Sequence, residues 1–165
     1  MKKFTLIMLM MLLTSFSINA QMNNYKIYAG FVNHFTKYVQ FSNVDKEFVI
    51  GVLGDSPMYN ELILLNGKTI GAQIIVVKKV NTASDVTNFK ILFVTSPKDV
   101  LMAELDKKAK LNKTMIITES ENAVKGVDIN FIIVNGKINF QIIQSNNELH
   151  GLKISNDLKK LGIIQ

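Results

Sequence analysis

Residues 48–80 read FVIGVLGDSPMYNELILLNGKTIGAQIIVVKKV, and this stretch decides the fold of the chain. Phe48 to Leu53 is a short apolar run that ends at Gly54, as expected for a strand that is buried on both faces. Ile74 to Val80 is a second run, rich in β-branched residues. A helix is predicted between the two runs. Strand, helix and strand in this order predict a βαβ unit with two parallel strands.

The helix of this unit has a start signal and a stop signal. Ser56 is predicted as its N-cap and Pro57 as its first helical residue. Asn66-Gly67 is typical of a helix end. Three apolar side chains are expected on the buried side of the helix: Met58, Leu62 and Leu65.

Further elements extend the unit downstream. Thr82 and Asp85 are placed to cap one short helix. Apolar runs at Ile91 to Thr95 and Thr114 to Thr118 predict two more buried strands, with an amphipathic helix from Val100 to Leu111 between them. Three lysines of that helix are expected on a solvated face: Lys107, Lys108 and Lys110.

The last third of the chain contains the clearest turn signal. Asn135-Gly136 lies between the apolar runs 129–134 and 137–143, which predicts a hairpin. A capping box at Ser145 to Glu148 and an N-cap at Ser155 predict two short helices after it. The predicted fold class is therefore α/β, with three layers, a mostly parallel sheet with helices on both faces, an antiparallel hairpin and short C-terminal helices.

Composition bounds the class of protein. The chain has 165 residues, of which 48% are hydrophobic, and two prolines, which suits one compact domain. It has no cysteine, which excludes thiol catalysis, cysteine metal sites and disulfides. All 19 positive charges are lysines. Arginine is the residue that most often recognises guanine and phosphate through paired hydrogen bonds. Its absence therefore argues against sequence-specific binding of nucleic acid.

Residues 1–20 are predicted to be a cleaved signal peptide, and residues 21–165 a single domain. Lys2 and Lys3 precede an apolar run from Phe4 to Leu13, and Ser17 to Ala20 is a suitable cleavage site. A membrane anchor is the alternative, but the apolar run is short for a bilayer. Export would place the mature protein in the periplasm. Loss of two of the 19 lysines would leave 17 against 13 acidic residues, a mild positive charge.

Asn23 to Phe41 is predicted to form a helix with an aromatic stripe. We favour packing of these aromatic side chains on the sheet. In the alternative, the helix buries one face and offers its outer aromatic side chains to a partner protein. The candidate partner-binding residues are Tyr28, Phe31, Phe35, Tyr38 and Phe41.

A candidate ligand site lies where two strands of the predicted sheet end. Open α/β sheets bind ligands beyond the carboxyl ends of their strands, where the strand order reverses. The loops 54–56 and 95–97 lie there, and each opens a helix. We favour ordinary helix capping over ligand binding at these residues, since Asp55 would repel an anion. The candidate ligand-binding residues are Gly54, Asp55, Ser56 and Ser96.

The other motifs do not predict catalysis. Gly67-Lys68-Thr69 resembles the end of a phosphate-binding P-loop, but it lacks the preceding glycine and leads into a strand. His34 and His150 are the only histidines, and a structural role is favoured for both over metal binding. Glu119 and Glu121 are interpreted as caps on a turn. We therefore expect no enzyme activity, no metal and no cofactor.

Several segments together resemble the YfiR/HmsC-like family of periplasmic proteins, in the right order and over essentially the whole mature chain. They are the aromatic segments 25–28 and 35–41, then 50–55, 67–71, 91–94, and the closing segment 151–161. The chain departs from the family in three places. Phe41-Ser42 stands where the family often has tryptophan-proline, Ile143 stands at a position that is polar in the family, and the cysteines that give some members redox sensitivity are absent.

The resemblance implies a periplasmic regulator in cyclic-di-GMP signalling and biofilm control. Such a protein would bind and restrain the periplasmic sensor part of an inner-membrane signalling protein, a diguanylate cyclase or a sensor kinase. An outer-membrane-associated antagonist would relieve this restraint, and a homodimer is left open. A periplasmic small-molecule-binding sensor is the alternative function.

Overall fold

The described chain forms one large sheet, one small sheet and helices around them. In the computed structural model, placement is described for residues 24–41, 45–95, 97, 99–121 and 124–165. The predicted signal peptide and Ser96 lie outside these residues. In chain order the elements are α1 (residues 24–38), β1 (Val39–Gln40), β2 (Glu47–Leu53), α2 (Met58–Leu62), β3 (Thr69–Ile70), β4 (Gln73–Val80), β5 (Ile91–Val94), α3 (Asp99–Asn112), β6 (Met115–Thr118), β7 (Ile129–Val134), β8 (Lys137–Ile142), α4 (Gln144–Leu149), β9 (Lys153–Ile154), α5 (Asn156–Leu161) and β10 (Ile163–Ile164).

The large sheet has the strand order β10-β8-β7-β6-β5-β2-β4-β3. β2 pairs in parallel with β4 on one side and β5 on the other, and β6 and β7 continue the parallel part. β8 pairs with β7 in antiparallel direction, as the hairpin signal predicted. The predicted βαβ unit and the α/β fold class are therefore confirmed.

The core is divided by the sheet into two halves. Every residue of β2 after Glu47 is buried, which agrees with the apolar run in the sequence. Because successive side chains of a strand point to opposite faces, Phe48, Ile50 and Val52 join one half and Val49 and Leu53 the other. The first half also contains buried residues of α1, α2 and α5, and the second contains those of α3.

Gly51 lets a loop approach the middle of β2. A Cβ atom at this position would lie 2.7 Å from two ring carbons of Phe89 and 2.9 Å from a methyl carbon of Leu92. Since such distances are far inside van der Waals contact, only glycine fits there without movement of its neighbours.

The predicted helix signals are confirmed in three places. Thr82 and Asp85 form a capping box on a short 3-10 helix, Ala83–Asp85. Pro57 has helical dihedral angles, and the Ser56 hydroxyl accepts a hydrogen bond from the N–H of Met58 at 3.2 Å. The Ser155 hydroxyl caps α5 by accepting from the N–H of Leu158. After α2 the chain continues as a short 3-10 helix, Ile63–Leu65, before the predicted stop at Gly67.

The capping box predicted at Ser145 to Glu148 is wrong. α4 begins at Gln144, one residue before the predicted N-cap Ser145, and its N-cap residue Ile143 makes no side-chain cap. Tertiary contacts set this boundary instead. The Asn146 amide donates to the carbonyl of Val127 at 2.8 Å, and the N–H of Ile143 donates to the carbonyl of Asp128 at 2.9 Å.

Three two-residue strands, β1, β3 and β10, were not predicted, and β1 replaces the end of the helix that was predicted to reach Phe41. β3 and β10 form the two edges of the large sheet, and β1 pairs with β9 in antiparallel direction to form the small one. The small sheet joins the end of α1 to the segment before α5, and the N–H of Ser155 also donates to the carbonyl of Tyr38. Strands of two residues are too short to produce a periodic pattern in a sequence.

Candidate functional site

The predicted ligand crevice coincides with the point where the strand order reverses. β4 follows β2 on one side of it, and β5 returns to the other side. The loops after β2 and β5 meet there, because a Cβ atom on Gly54 would lie 3.4 Å from the Thr95 side chain. Gly54 has a positive φ of 94°, which turns the chain sharply out of the strand. The structure thus brings Gly54, Asp55, Ser56 and Thr95 together, while Ser96 lies outside the described residues.

Charge at this crevice is nearly balanced. Asp55 is almost fully exposed, and its carboxylate accepts a hydrogen bond from the Lys79 ammonium at 2.9 Å. That hydrogen bond and the charge of Lys79 lower the pKa of Asp55. The repulsion of anions that Asp55 alone would cause is therefore offset by a lysine from β4, which the sequence did not associate with it.

The crevice is small and its hydroxyl group is already engaged. A cavity of about 280 Å³ lies on the β4 side of the crevice and is lined by Asp55, Ser56, Pro57, Tyr59, Asn60 and Lys79, and not by Gly54 or Thr95. The Ser56 hydroxyl caps α2, a helix of only five residues, so its dipole is weak. Helix capping accounts for Ser56, and ligand binding at these residues stays a prediction.

The candidate partner-binding aromatic residues of α1 have different environments. Tyr28 and Phe35 are buried, and both stack on Phe131 of β7, with ring centroids 4.2 Å and 6.2 Å away. Phe31 and Phe41 are partly buried against the same core. In this arrangement these four side chains pack on the sheet, as the favoured interpretation holds. Tyr38 is the most exposed of the five candidates, with 38% of it exposed.

An exposed stripe runs along the outer side of α1. We define this outer stripe as Ile27, Gly30, His34 and Tyr38, all of which are exposed and lie three or four residues apart. The rings of His34 and Tyr38 are stacked, with centroids 6.2 Å apart. A Cβ atom on Gly30 would have no heavy atom within 4 Å. The outer stripe is therefore an open surface that combines apolar and aromatic groups.

Two acidic residues interpreted as caps lie beside α1 instead. Glu119 follows β6 directly and Glu121 comes two residues later. The Tyr25 hydroxyl donates to the Glu119 carboxylate at 2.7 Å. Burial raises the pKa of Glu119, although the hydrogen bond from Tyr25 opposes this effect. Burial, together with the charge of Glu119, raises the pKa of Tyr28 to about 12. The sequence separation of 94 residues hid this contact from sequence analysis.

His150 is a structural histidine, and its environment was not visible in the sequence. It is fully buried, and each of its ring nitrogens contacts a carboxylate, one from Asp106 and one from Asp128. Among the residues that the structure describes, no group of three or more histidine, aspartate or glutamate side chains is arranged to hold a metal ion.

Comparison with known families identifies one matching family model, described as YfiR/HmsC-like, which covers residues 25–162. This family consists of periplasmic regulators of cyclic-di-GMP signalling and is regulatory rather than catalytic. A search of curated proteins gave no match to the chain. In the described part of the chain, no helix is both long and apolar enough to cross a membrane.

Proposed function

Because the chain belongs to the YfiR/HmsC-like family, we propose that it is a non-enzymatic periplasmic regulator of an inner-membrane signalling protein. It would bind and restrain the periplasmic sensor part of its target, a diguanylate cyclase or a sensor kinase. The observation that carries this proposal is the family match from residue 25 to residue 162, which includes every described helix of the fold except the first residue of α1.

The surface that fits this role best is the outer stripe of α1. Its aromatic pair His34–Tyr38 and the apolar side chain of Ile27 face solvent on a helix whose other side is anchored in the core. Exposed aromatic groups on a rigid element are the usual anchors of protein interfaces. Lys26 and Lys37 flank the outer stripe, so an acidic surface on the target would be complementary to it.

Affinity capture from detergent-solubilised membranes tests the proposal. The protein, exported with its own first twenty residues and purified, should retain an inner-membrane protein that has a periplasmic sensor segment. Tyr38→Ala should lose this capture while keeping its melting temperature. Leu64→Ala is the matched control, because Leu64 is also an exposed large side chain but lies outside α1. Equal capture by both variants would show that the outer stripe does not take part in binding the target.

A small-molecule sensor is the second candidate function, and the crevice beside Asp55 and Lys79 is the observation that favours it. A ligand that binds the folded state alone would raise the melting temperature by mass action. Ser56→Ala should reduce this stabilisation if the crevice holds the ligand. Two results together would favour the sensor function over the regulator function. The protein would capture no signalling protein, and a periplasmic metabolite would reproducibly raise its melting temperature.

A further inference from the structure

A second cavity lies at the same edge of the parallel sheet as the crevice, beyond the carboxyl end of β6. It has a volume of about 550 Å³, which is within the range of about 300–1,000 Å³ for small-molecule sites. Its lining comes from the first described turns of α1, the loop after β6, and β7. The lining residues include Tyr25, Tyr28, Glu119, Glu121, Phe131 and Ile133.

Aromatic rings form one wall of this cavity. Tyr25 and Tyr28 make an edge-to-face pair with centroids 5.7 Å apart, and Tyr28 stacks on Phe131 at 4.2 Å. All three side chains are buried, so their positions are fixed by packing. At the rim, Ile133 leaves 61% of its surface exposed to water. The cavity thus has a wall of fixed aromatic residues and an apolar edge.

The cavity also concentrates negative charge in a chain that has an excess of lysine. Glu119 is half-buried and Glu121 is exposed at the mouth. Among the described residues, no lysine lines the cavity and neither carboxylate forms an ion pair. A carboxylate that is partly removed from water without a cation is costly, and it favours any cation that can enter.

From this combination we propose that the cavity binds a small organic ammonium ion that carries an apolar group. The ammonium would contact the Glu119 carboxylate and the face of an aromatic ring, since ring faces attract cations. The apolar group would cover Ile133 at the rim. Anions and zwitterions would be disfavoured, because their carboxylate would face Glu119 and Glu121. This site is separate from the outer stripe of α1, so it does not depend on the proposed regulatory function.

Titration with three matched probes tests the proposal. 2-Phenylethylammonium has the proposed chemistry, phenylalanine adds a carboxylate to it, and 3-phenylpropionate replaces the cation by an anion. We expect saturable binding of 2-phenylethylammonium, with amide NMR shifts at residues 119–121 and 131–133, and much weaker binding of the other two. No saturation below about 10 mM, which corresponds to a very weak complex, would overturn the proposal.

Charge-neutral variants identify the site. Glu119→Gln should weaken binding of 2-phenylethylammonium by about tenfold or more, as expected for loss of a charged hydrogen-bond partner. Glu121→Gln should weaken binding of 2-phenylethylammonium less. This variant provides an independent affinity measurement if Glu119→Gln lowers the melting temperature. Asp55→Asn is the control, because Asp55 is an exposed carboxylate in the other cavity. Equal affinity of all three variants and the wild type would contradict the assignment.

Discussion

The Nδ1 atom of His150 lies 2.8 Å from Oδ2 of Asp128, and neither side chain has any exposed surface. On the other side of the ring, Nε2 lies 3.0 Å from Oδ1 of Asp106. Burial alone would lower the pKa of His150, but the hydrogen bonds and charges of the two carboxylates outweigh it and raise that pKa. An ionised carboxylate only accepts hydrogen bonds, so both contacts are satisfied together when both ring nitrogens carry protons.

We expect the contribution of His150 to stability to fall as the pH rises. Its pKa in the folded state is above the ordinary value of 6.5, so the contribution is complete below pH 6.5 and is lost as the pH rises through the raised pKa. Burial raises the pKa of Asp128, although His150 opposes it. The raised pKa of Asp128 also makes stability fall with rising pH, in a range that begins at the ordinary value of 3.8. Denaturant unfolding at about pH 6 and about pH 9 should show that His150→Gln differs less from the wild type at the higher pH. A constant difference would contradict this expectation.

Removal of Asp128 should destabilise the protein strongly. Besides His150, the carboxylate accepts a hydrogen bond from the N–H of Ile116 at 2.7 Å. Asp128→Ala would leave both donors buried without a partner, at an expected cost of about 3–5 kcal/mol. Asp157→Ala is the control, since Asp157 forms an exposed pair with Lys160 and should matter by less than about 1 kcal/mol. Similar unfolding free energies for the two variants would show that the buried contacts are not important.

Gly51→Ala should cost about 1–3 kcal/mol through overpacking. The new methyl group would meet the Phe89 ring at 2.7 Å. Phe89→Leu in the same chain should recover part of the loss, because it removes ring atoms from that contact. Gly30→Ala is the matched control and should stabilise the protein by about 1 kcal/mol, since it lies on α1 with open space around it. Thermal unfolding of the wild type, Gly51→Ala, Gly51→Ala with Phe89→Leu, and Gly30→Ala measures these differences. A loss of stability in Gly30→Ala similar to that in Gly51→Ala would contradict the overpacking explanation.

Gly136→Val should destabilise the hairpin through backbone strain. Asn135 and Gly136 have φ angles of 51° and 72°, the left-handed values that a type I′ turn requires. No heavy atom lies within 4 Å of a Cβ atom at Gly136, so the cost of about 1–2 kcal/mol comes from the backbone and not from a clash.

Asn135→Pro should destabilise the turn further, because proline cannot adopt a positive φ. Lys107→Ala is the control for both turn variants, and as a surface change it should shift stability by less than about 0.5 kcal/mol. The comparison is made by melting temperature. Equal values for the turn variants and the control would mean that the turn does not limit stability.

Features with a local structural signal are predictable from the sequence. The apolar run of β2, the cap at Ser56 and the turn at Asn135-Gly136 each need only a few neighbouring residues, and all three are present in the structure. Together they predict the βαβ unit, the hairpin and hence the fold class. The crevice at Gly54 follows from the same strands, because the end of a parallel strand can be located once the strand is known.

The remaining features needed the tertiary structure. His150 meets Asp128 across 22 residues and Asp106 across 44, and Tyr25 meets Glu119 across 94. No periodicity or motif connects residues so far apart, because their contact depends on how the sheet and its helices pack. The same holds for Tyr28 and Tyr38, which lie on one aromatic helix. The sequence determined that the helix has an aromatic stripe, and only packing against β7 decided that Tyr28 is buried while Tyr38 faces solvent.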